Sequence, residues 1–187
     1  MTEVKLISYS QLPQDSKLDL KNVQDLISYC ARVSNPTNQM NTETSEKLIK
    51  YLIKHKHWSP LEMVSACLEI NTTRDIAHQI VRHRSFSFQE FSQRYAEPKE
   101  MGEQFVIREA RLQDKKNRQN SVPVKDQSLQ ERWTFMQGYV TEKAKEAYNW
   151  AIANGIAKEQ ARVVLPEGLT KTRLYMNGTL RSWVHYI

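Results

Sequence analysis

The sequence is poor in the residues that mark several protein classes. Only five glycines occur, which excludes collagen-like and glycine-rich disordered chains. The two cysteines, Cys30 and Cys67, are too few for a disulfide scaffold and lie in no CxxC pair, so a reducing, cytoplasmic setting is expected. No apolar run approaches the ~18 residues that a membrane-spanning helix needs, and mean hydropathy is -0.66. The opening stretch MTEVKLISYSQLPQD lacks a basic segment followed by an apolar one, so no secretory signal is expected. Neither GxGxxG nor GxxxxGK[ST] occurs, which leaves a Rossmann dinucleotide fold and a P-loop without support. GxSxG and HExxH are absent as well.

What remains is a chain of 187 residues, 40% hydrophobic and 26% charged. That is ordinary globular composition, and the length suits one domain, or one domain with an appended element. The charge is +6. Such a balance favours nucleic acid, nucleotides or phosphate-bearing cofactors, and is equally compatible with a solvated basic surface.

The apolar pattern alternates between strand and helix. Residues 1–10 read as a short strand. Leu20, Val23, Ile27, Cys30 and Ala31 recur at helical spacing and predict a helix over 19–33, stopped by Asn35-Pro36. Leu48, Ile49, Leu52 and Ile53 predict a second helix over 43–56. Ser59-Pro60-Leu61-Glu62 has the form of a helix start, with Ser59 as N-cap, and opens a short turn. Residues 63–71 read as a buried strand. Thr72 and Thr73 are placed to cap a helix over 74–83 with a stripe of Ile76, Ala77, Ile80 and Val81. Residues 84–122 show no sustained period and read as a long, aromatic-rich functional loop. A long helix is expected over 126–153, ending at Asn154-Gly155. A short helix over 157–165 should stop at Pro166, and 170–187 reads as a strand running into a helix. The whole is an α/β (α+β) pattern.

The densest chemical constellation is Arg82 to Arg94, where three arginines, a histidine, a glutamate and three serines fall within 13 residues. Arginine presents a planar, permanently charged fork that matches phosphate and carboxylate oxygens. Arg82 and Arg84 also suit the carbonyls and dipole of a helix C-terminus, but that does not account for His83 between two cations. An imidazole kept neutral by its neighbours would suit an anionic or electron-rich ring. Ser92 invites a nucleophile reading with His83 or Glu90 as base. A structural hydroxyl is the simpler account, because nothing in the spacing fixes that geometry. His55 and His57 form an HxH pair without a third ligand at suggestive spacing, so no metal is expected. A single His57 facing a pocket is the better reading, and a histidine simply favoured at a helix C-terminus is the plainer one. Cys30 and Cys67 fall on apolar positions, where cysteine acts as a small hydrophobe.

The stretch from Arg82 to Arg94 fits the signature R-H-R, seven residues, S, one residue, R. It resembles the flavin-dependent thymidylate synthases. Cys30-Ala31-Arg32-Val33-Ser34, the segment LIKYLIKHKHWSPLE from Leu48 to Glu62, Ala161-Arg162-Val163-Val164-Leu165-Pro166 and Thr179-Leu180-Arg181-Ser182-Trp183 are similar to further family elements in the same order. The resemblance implies the family's α/β fold, with one domain over 1–187, and reductive methylation of dUMP to dTMP. Methylenetetrahydrofolate would give the carbon, NADPH would reduce FAD, and the sites would lie between the subunits of a homotetramer. It implies FAD contacts from Ser59, Arg82, His83, Arg84, Glu90, Thr179, Leu180, Arg181 and His185. It implies dUMP contacts from Gln79, Ile80, Val81, Arg82, Glu90, Phe91, Ser92, Gln93 and Arg94, and from Arg162 of another subunit. His57, Ser92 and Arg94 are the implied catalytic set. Thr179 stands where many members have asparagine. Family members continue past the helix that begins at Arg181 with a further arginine assigned to dUMP activation, so this chain, ending at Ile187, is expected to be short of its C-terminal helices. The alternatives are a flavin- or nucleotide-binding fragment without turnover, and a non-catalytic nucleic-acid-binding protein that stacks bases on Phe86, Phe88, Phe91 and Tyr95.

Overall fold

The computed structural model describes residues 2–187. In chain order the strands are β1 (Glu3–Tyr9), β2 (Ser65–Thr73), β3 (Ser87–Glu90), β4 (Arg111–Gln113), β5 (Ser121–Pro123) and β6 (Lys171–Thr179). The helices are α1 (Val23–Ala31), α2 (Ser45–Lys54), α3 (Arg74–Ile80), α4 (Gln127–Ala153), α5 (Lys158–Ala161) and α6 (Leu180–Tyr186). Tight 3₁₀ turns occupy Pro36–Asn38, Ser59–Glu62, Pro98–Met101 and Arg162–Val164. The four-stranded sheet has the order β1-β2-β6-β3, and β4 pairs with β5 in a separate antiparallel hairpin with Leu112 opposite Val122. The α/β class expected from the pattern is the class observed. Among the described residues no helix is long and apolar enough to cross a membrane.

The chain forms two compact units. One holds Thr2 and Glu3, Asn71–Ile80 and Glu90–Arg173; the other holds Val4–Ile70, Val81–Gln89 and Leu174–Ile187. They are called here the α4 unit and the α1 unit.

In the α1 unit, helix α1 begins three residues later than Leu20 suggests. Asn22 decides this, because its Oδ1 accepts the Asp25 N–H at 3.0 Å and caps the helix. Asp25 is buried, and its carboxylate accepts from the Lys21 N–H at 3.1 Å and the Ser45 hydroxyl at 2.7 Å. Those bonds fasten α1 to the start of α2. Arg32 is buried too, donating to the Asn41 carbonyl and, at 2.7 Å, to Thr44 Oγ1. Ile27, Leu61 and Val64 form the core, with Val23, Leu26, Ile49, Trp58 and Leu180 packed around them.

In the α4 unit, Asp126 caps α4 by accepting the Ser128 N–H at 2.9 Å, and Gly155 at φ +75° ends it, as the sequence indicates. Gln137, Thr141, Ala144, Tyr148 and Ala151 form its buried stripe. Tyr148 and Ala151 pack with Ala161, Leu165 and Phe105. Gln130 Oε1 accepts the Ala110 N–H at 2.7 Å, and Gln137 exchanges hydrogen bonds of 2.9 and 2.8 Å with the backbone of Arg108. These amides pin the segment before β4 to the helix.

The region 84–122 corrects the expectation of one long loop. It contains β3, β4, β5 and a 3₁₀ turn. Strands of three or four residues are too short to show a period, so the sequence pattern hid them. Two further corrections concern helix starts. β2 runs on through Thr73, so Thr72 and Thr73 close a strand, and α3 stops at Ile80. Ser59 caps nothing: it is the first residue of a four-residue 3₁₀ turn whose preceding residue is Trp58.

Candidate active site

The segment carrying Arg82, His83 and Arg84 follows α3 and belongs to the α1 unit. All three side chains are exposed, and those of Arg82 and Arg84 make no hydrogen bond or ion pair among the described residues. Their segment is nevertheless held firmly. Phe86 is 9% exposed, with Trp183 at 4.7 Å and Tyr186 at 5.7 Å between ring centroids. His83 meets the edge of Tyr186 at 4.8 Å. The Ser182 hydroxyl donates to the Ser85 carbonyl at 3.0 Å. Gly178 lies directly against Phe86: a Cβ built there would fall 2.4 Å from Cδ1. A rigid aromatic mount thus presents two free guanidinium groups.

The same unit joins α6 to the turn at Ser59. Arg181 donates to Glu62, and the ring of His185 lies 4.7 Å from Trp58. Thr179 caps α6, its Oγ1 accepting the Ser182 N–H at 3.3 Å, and the Leu180 N–H donates to the Val64 carbonyl at 3.0 Å. Ser59, Thr179, Leu180, Arg181 and His185 are therefore brought together. Ser59 is exposed on a four-residue turn, too short to carry a helix dipole that would favour a phosphate there. His57 is exposed just beyond α2. The helix ends with Lys56 at φ +58°, the Lys56 N–H bonded to the Ile53 carbonyl at 3.1 Å and the His57 N–H to the Leu52 carbonyl at 2.8 Å. This is the Schellman arrangement with lysine in the usual glycine position. The rings of His55 and His57 are 6.3 Å apart, and among the described residues no group of three or more acidic, histidine or cysteine side chains is placed to hold a metal. Burial pushes the Cys30 thiol up from its ordinary range, away from the thiolate a nucleophile needs.

The second half of the motif lies in the α4 unit. Glu90 Oε1 accepts from Thr172 Oγ1 at 2.9 Å and from Arg74 Nη1 at 3.4 Å. The Phe91 N–H donates to the Arg173 carbonyl at 2.9 Å. The Ser92 carbonyl accepts the N–H groups of Tyr95 and Ala96, both at 3.1 Å, while Ser92 Oγ accepts the Arg94 N–H at 3.3 Å. Its hydroxyl thus has a structural bond and, among the described residues, no base. Gln93 is 2% exposed, and its Nε2 has no hydrogen-bond partner among the described residues. Arg94 reaches Glu159 Oε2 through Nε at 3.0 Å and Nη2 at 2.9 Å, and Arg162 Nε donates to the Glu159 carbonyl at 3.3 Å. The fold therefore brings Arg94 and Arg162 to one place, at the start of α5. Gln79 is exposed and Ile80 buried at the end of α3; Val81 is exposed in the α1 unit.

Several residues of this arrangement escaped sequence reasoning. Arg74, Glu159 and Gly178 carry no periodic or motif signal, and only their contacts reveal them. A cavity of about 540 Å³ in the α4 unit is lined by Thr73, Arg108, Arg111 and Lys171 among others. Those three cations are neutralised by Asp75, Glu109 and Glu103 respectively, so the cavity is polar without being a strong anion trap.

Residues 17–187 match the family model described as thymidylate synthase complementing protein. A probable flavin-dependent thymidylate synthase of Paramecium bursaria Chlorella virus 1 is 49% identical over 168 residues, covering 90% of this chain and 76% of the relative. The flavin-dependent thymidylate synthase of Synechocystis sp. is 52% identical over 163 residues, 87% of this chain and 73% of the relative. Among solved structures, a UMP/dUMP methylase from Streptomyces cacaoi bound with 5-Br dUMP superposes with a TM-score of 0.78 at 25% identity, covering 100% of this chain and 76% of that one. By sequence and by fold, the chain belongs to the thymidylate synthase complementing protein family.

Proposed function

We propose that this chain catalyses the reductive methylation of dUMP to dTMP in the cytoplasm, with FAD as cofactor, methylenetetrahydrofolate as carbon donor and NADPH as reductant. The observation that carries the proposal is the pair Arg82 and Arg84, exposed and unpaired on a segment fixed by Phe86, Trp183 and Tyr186. Two exposed guanidinium groups on a well-packed segment are available to match phosphate oxygens and ring carbonyls. The donor set fits a flavin nucleotide: Arg82, His83 and Arg84 on one segment, and Ser59, Thr179, Leu180, Arg181 and His185 around α6, with Glu90 as an acceptor. When bound, FAD would supply the redox chemistry between NADPH and the transferred carbon. The protein's own part is to bind and orient. Arg82 and Arg84 stabilise negative charge. Gln79, Ile80, Val81, Arg82 and Glu90 to Arg94 hold dUMP, with Ser92 and Arg94 around its phosphate and base and Arg162 reaching it from another subunit, and His57 positions the reactants.

Homotetramer formation is part of this proposal. Leu129, Trp133, Met136 and Val140 form an exposed apolar stripe on α4 at i, i+4, i+7, i+11 spacing, beside exposed Phe135 and Tyr139. A stripe of that length calls for a partner surface. The nucleic-acid alternative loses part of its stacking platform, since Phe86 is buried and Phe88 and Phe91 are half-buried, leaving Tyr95, 80% exposed.

Absorbance spectroscopy and calorimetry test the proposal. The purified protein should bind FAD and, once loaded, dUMP. Arg82→Ala should weaken FAD retention most, and Ser92→Ala should weaken dUMP binding more than FAD binding. Protein that takes up neither ligand would refute the function, and equal losses of both ligands in both variants would refute the division of roles.

A further inference from the structure

We infer that Arg74 is a positioning residue of the dUMP site, acting through Glu90. The inference rests on the proposed function, in which Glu90 touches the ligand, and it adds a residue outside the motif.

Arg74 opens α3, and its backbone N–H is fixed to the Thr170 carbonyl at 3.0 Å. It is only 9% exposed, and its guanidinium is shared among three side chains. Nε lies 3.2 and 3.0 Å from the two carboxylate oxygens of Glu167. Nη1 donates to Glu90 Oε1 at 3.4 Å, and Nη2 meets His78 Nε2 at 3.2 Å. The other ring nitrogen of His78, Nδ1, lies 3.7 Å from Glu167 Oε2. All three nitrogens of the guanidinium are thereby engaged.

The consequence falls on Glu90, whose side chain is 21% exposed. Arg74 and Thr172 both donate to the same oxygen, Oε1. Oε2 makes no hydrogen bond among the described residues and is the edge left for a ligand donor. An unconstrained glutamate would rotate both oxygens through that position. Two donors on one oxygen fix the carboxylate plane and supply a countercharge within the protein. Stability is a weak reason for such a contact: a largely buried ion pair often gains nothing over apolar residues of the same shape. Orientation of a functional carboxylate is what this geometry delivers.

The test is a double-mutant cycle on FAD-loaded protein, with dUMP affinity measured by calorimetry so that a variant without turnover still reports. Arg74→Gln should weaken dUMP binding about tenfold in the wild-type background. In the Glu90→Gln background it should add no more than about twofold, because its effect passes through the carboxylate. Arg74→Lys, which keeps the charge, should recover part of the loss, and it runs the same cycle if Arg74→Gln melts below the assay temperature. Equal losses from Arg74→Gln with and without Glu90 would overturn the inference and leave Arg74 a structural residue. Wild-type protein that binds FAD but no dUMP would instead overturn the functional proposal on which the inference stands.

Discussion

Gly178 gives the sharpest handle on the mount beneath Arg82 and Arg84. Its replacement by alanine would place a Cβ 2.4 Å from Cδ1 and 2.6 Å from Cε1 of Phe86. Carbon atoms rest at about 3.5–4.0 Å, so the ring would have to retreat by about 1 Å or more. It has little room, with Trp183 at 4.7 Å, Tyr186 at 5.7 Å and Phe88 at 6.2 Å between centroids. Overpacking of this kind costs about 1–3 kcal/mol. For a chain of this size that corresponds to a fall in melting temperature of roughly 2–12 °C. The displaced ring should drag the Arg82–Arg84 segment with it, so FAD affinity should fall even below the melting transition. Thermal unfolding and FAD titration of Gly178→Ala measure both effects. Phe86→Leu should relieve the clash, making the double variant more stable than the sum of the single losses allows. A Gly178→Ala protein with unchanged melting temperature and FAD affinity would refute the reasoning, as would strictly additive losses in the double variant.

Two further outcomes follow from single features. Lys56→Gly relieves a lysine held at φ +58° and should stabilise the protein by about 1 kcal/mol in urea unfolding; a loss of stability would mean the lysine side chain itself is needed. Tyr148 has a buried hydroxyl without a partner among the described residues, and burial, then the charges of Glu97 and Glu100, hold its phenol above the ordinary range. The neutral phenol's contribution is complete below the ordinary tyrosine pKa of about 10 and is lost as pH rises from there through the raised folded value. Tyr148→Phe should therefore flatten stability against pH in that alkaline window and change neutral-pH stability by no more than about 1 kcal/mol. A large loss at neutral pH would show that the hydroxyl has a partner after all.

Much of the architecture was legible because long elements repeat their pattern. The extent of α4 and its stop at Asn154-Gly155, and the passage from β6 into α6, follow from local chemistry that acts within a few residues. α1 was legible except for its start, where one capping asparagine outweighed the apolar Leu20. β3, β4 and β5 were illegible, since three or four residues carry no period and their order comes from pairing partners elsewhere in the chain. The difference in range explains the difference in legibility.

For the site, the sequence by itself determined which chemical groups are available: guanidinium groups, an imidazole, a carboxylate and hydroxyls at the fixed spacing of Arg82 to Arg94. Tertiary structure alone decided which of them are free. Arg82 and Arg84 stand unpaired, Arg94 is drawn to Glu159, Ser92 is tied to the backbone of Arg94, and Glu90 keeps one oxygen open because Arg74 and Thr172 hold the other. Charge type is written into a side chain, but its availability depends on which neighbours the fold carries within hydrogen-bonding distance, and Thr172, which holds Glu90, lies 82 residues away along the chain.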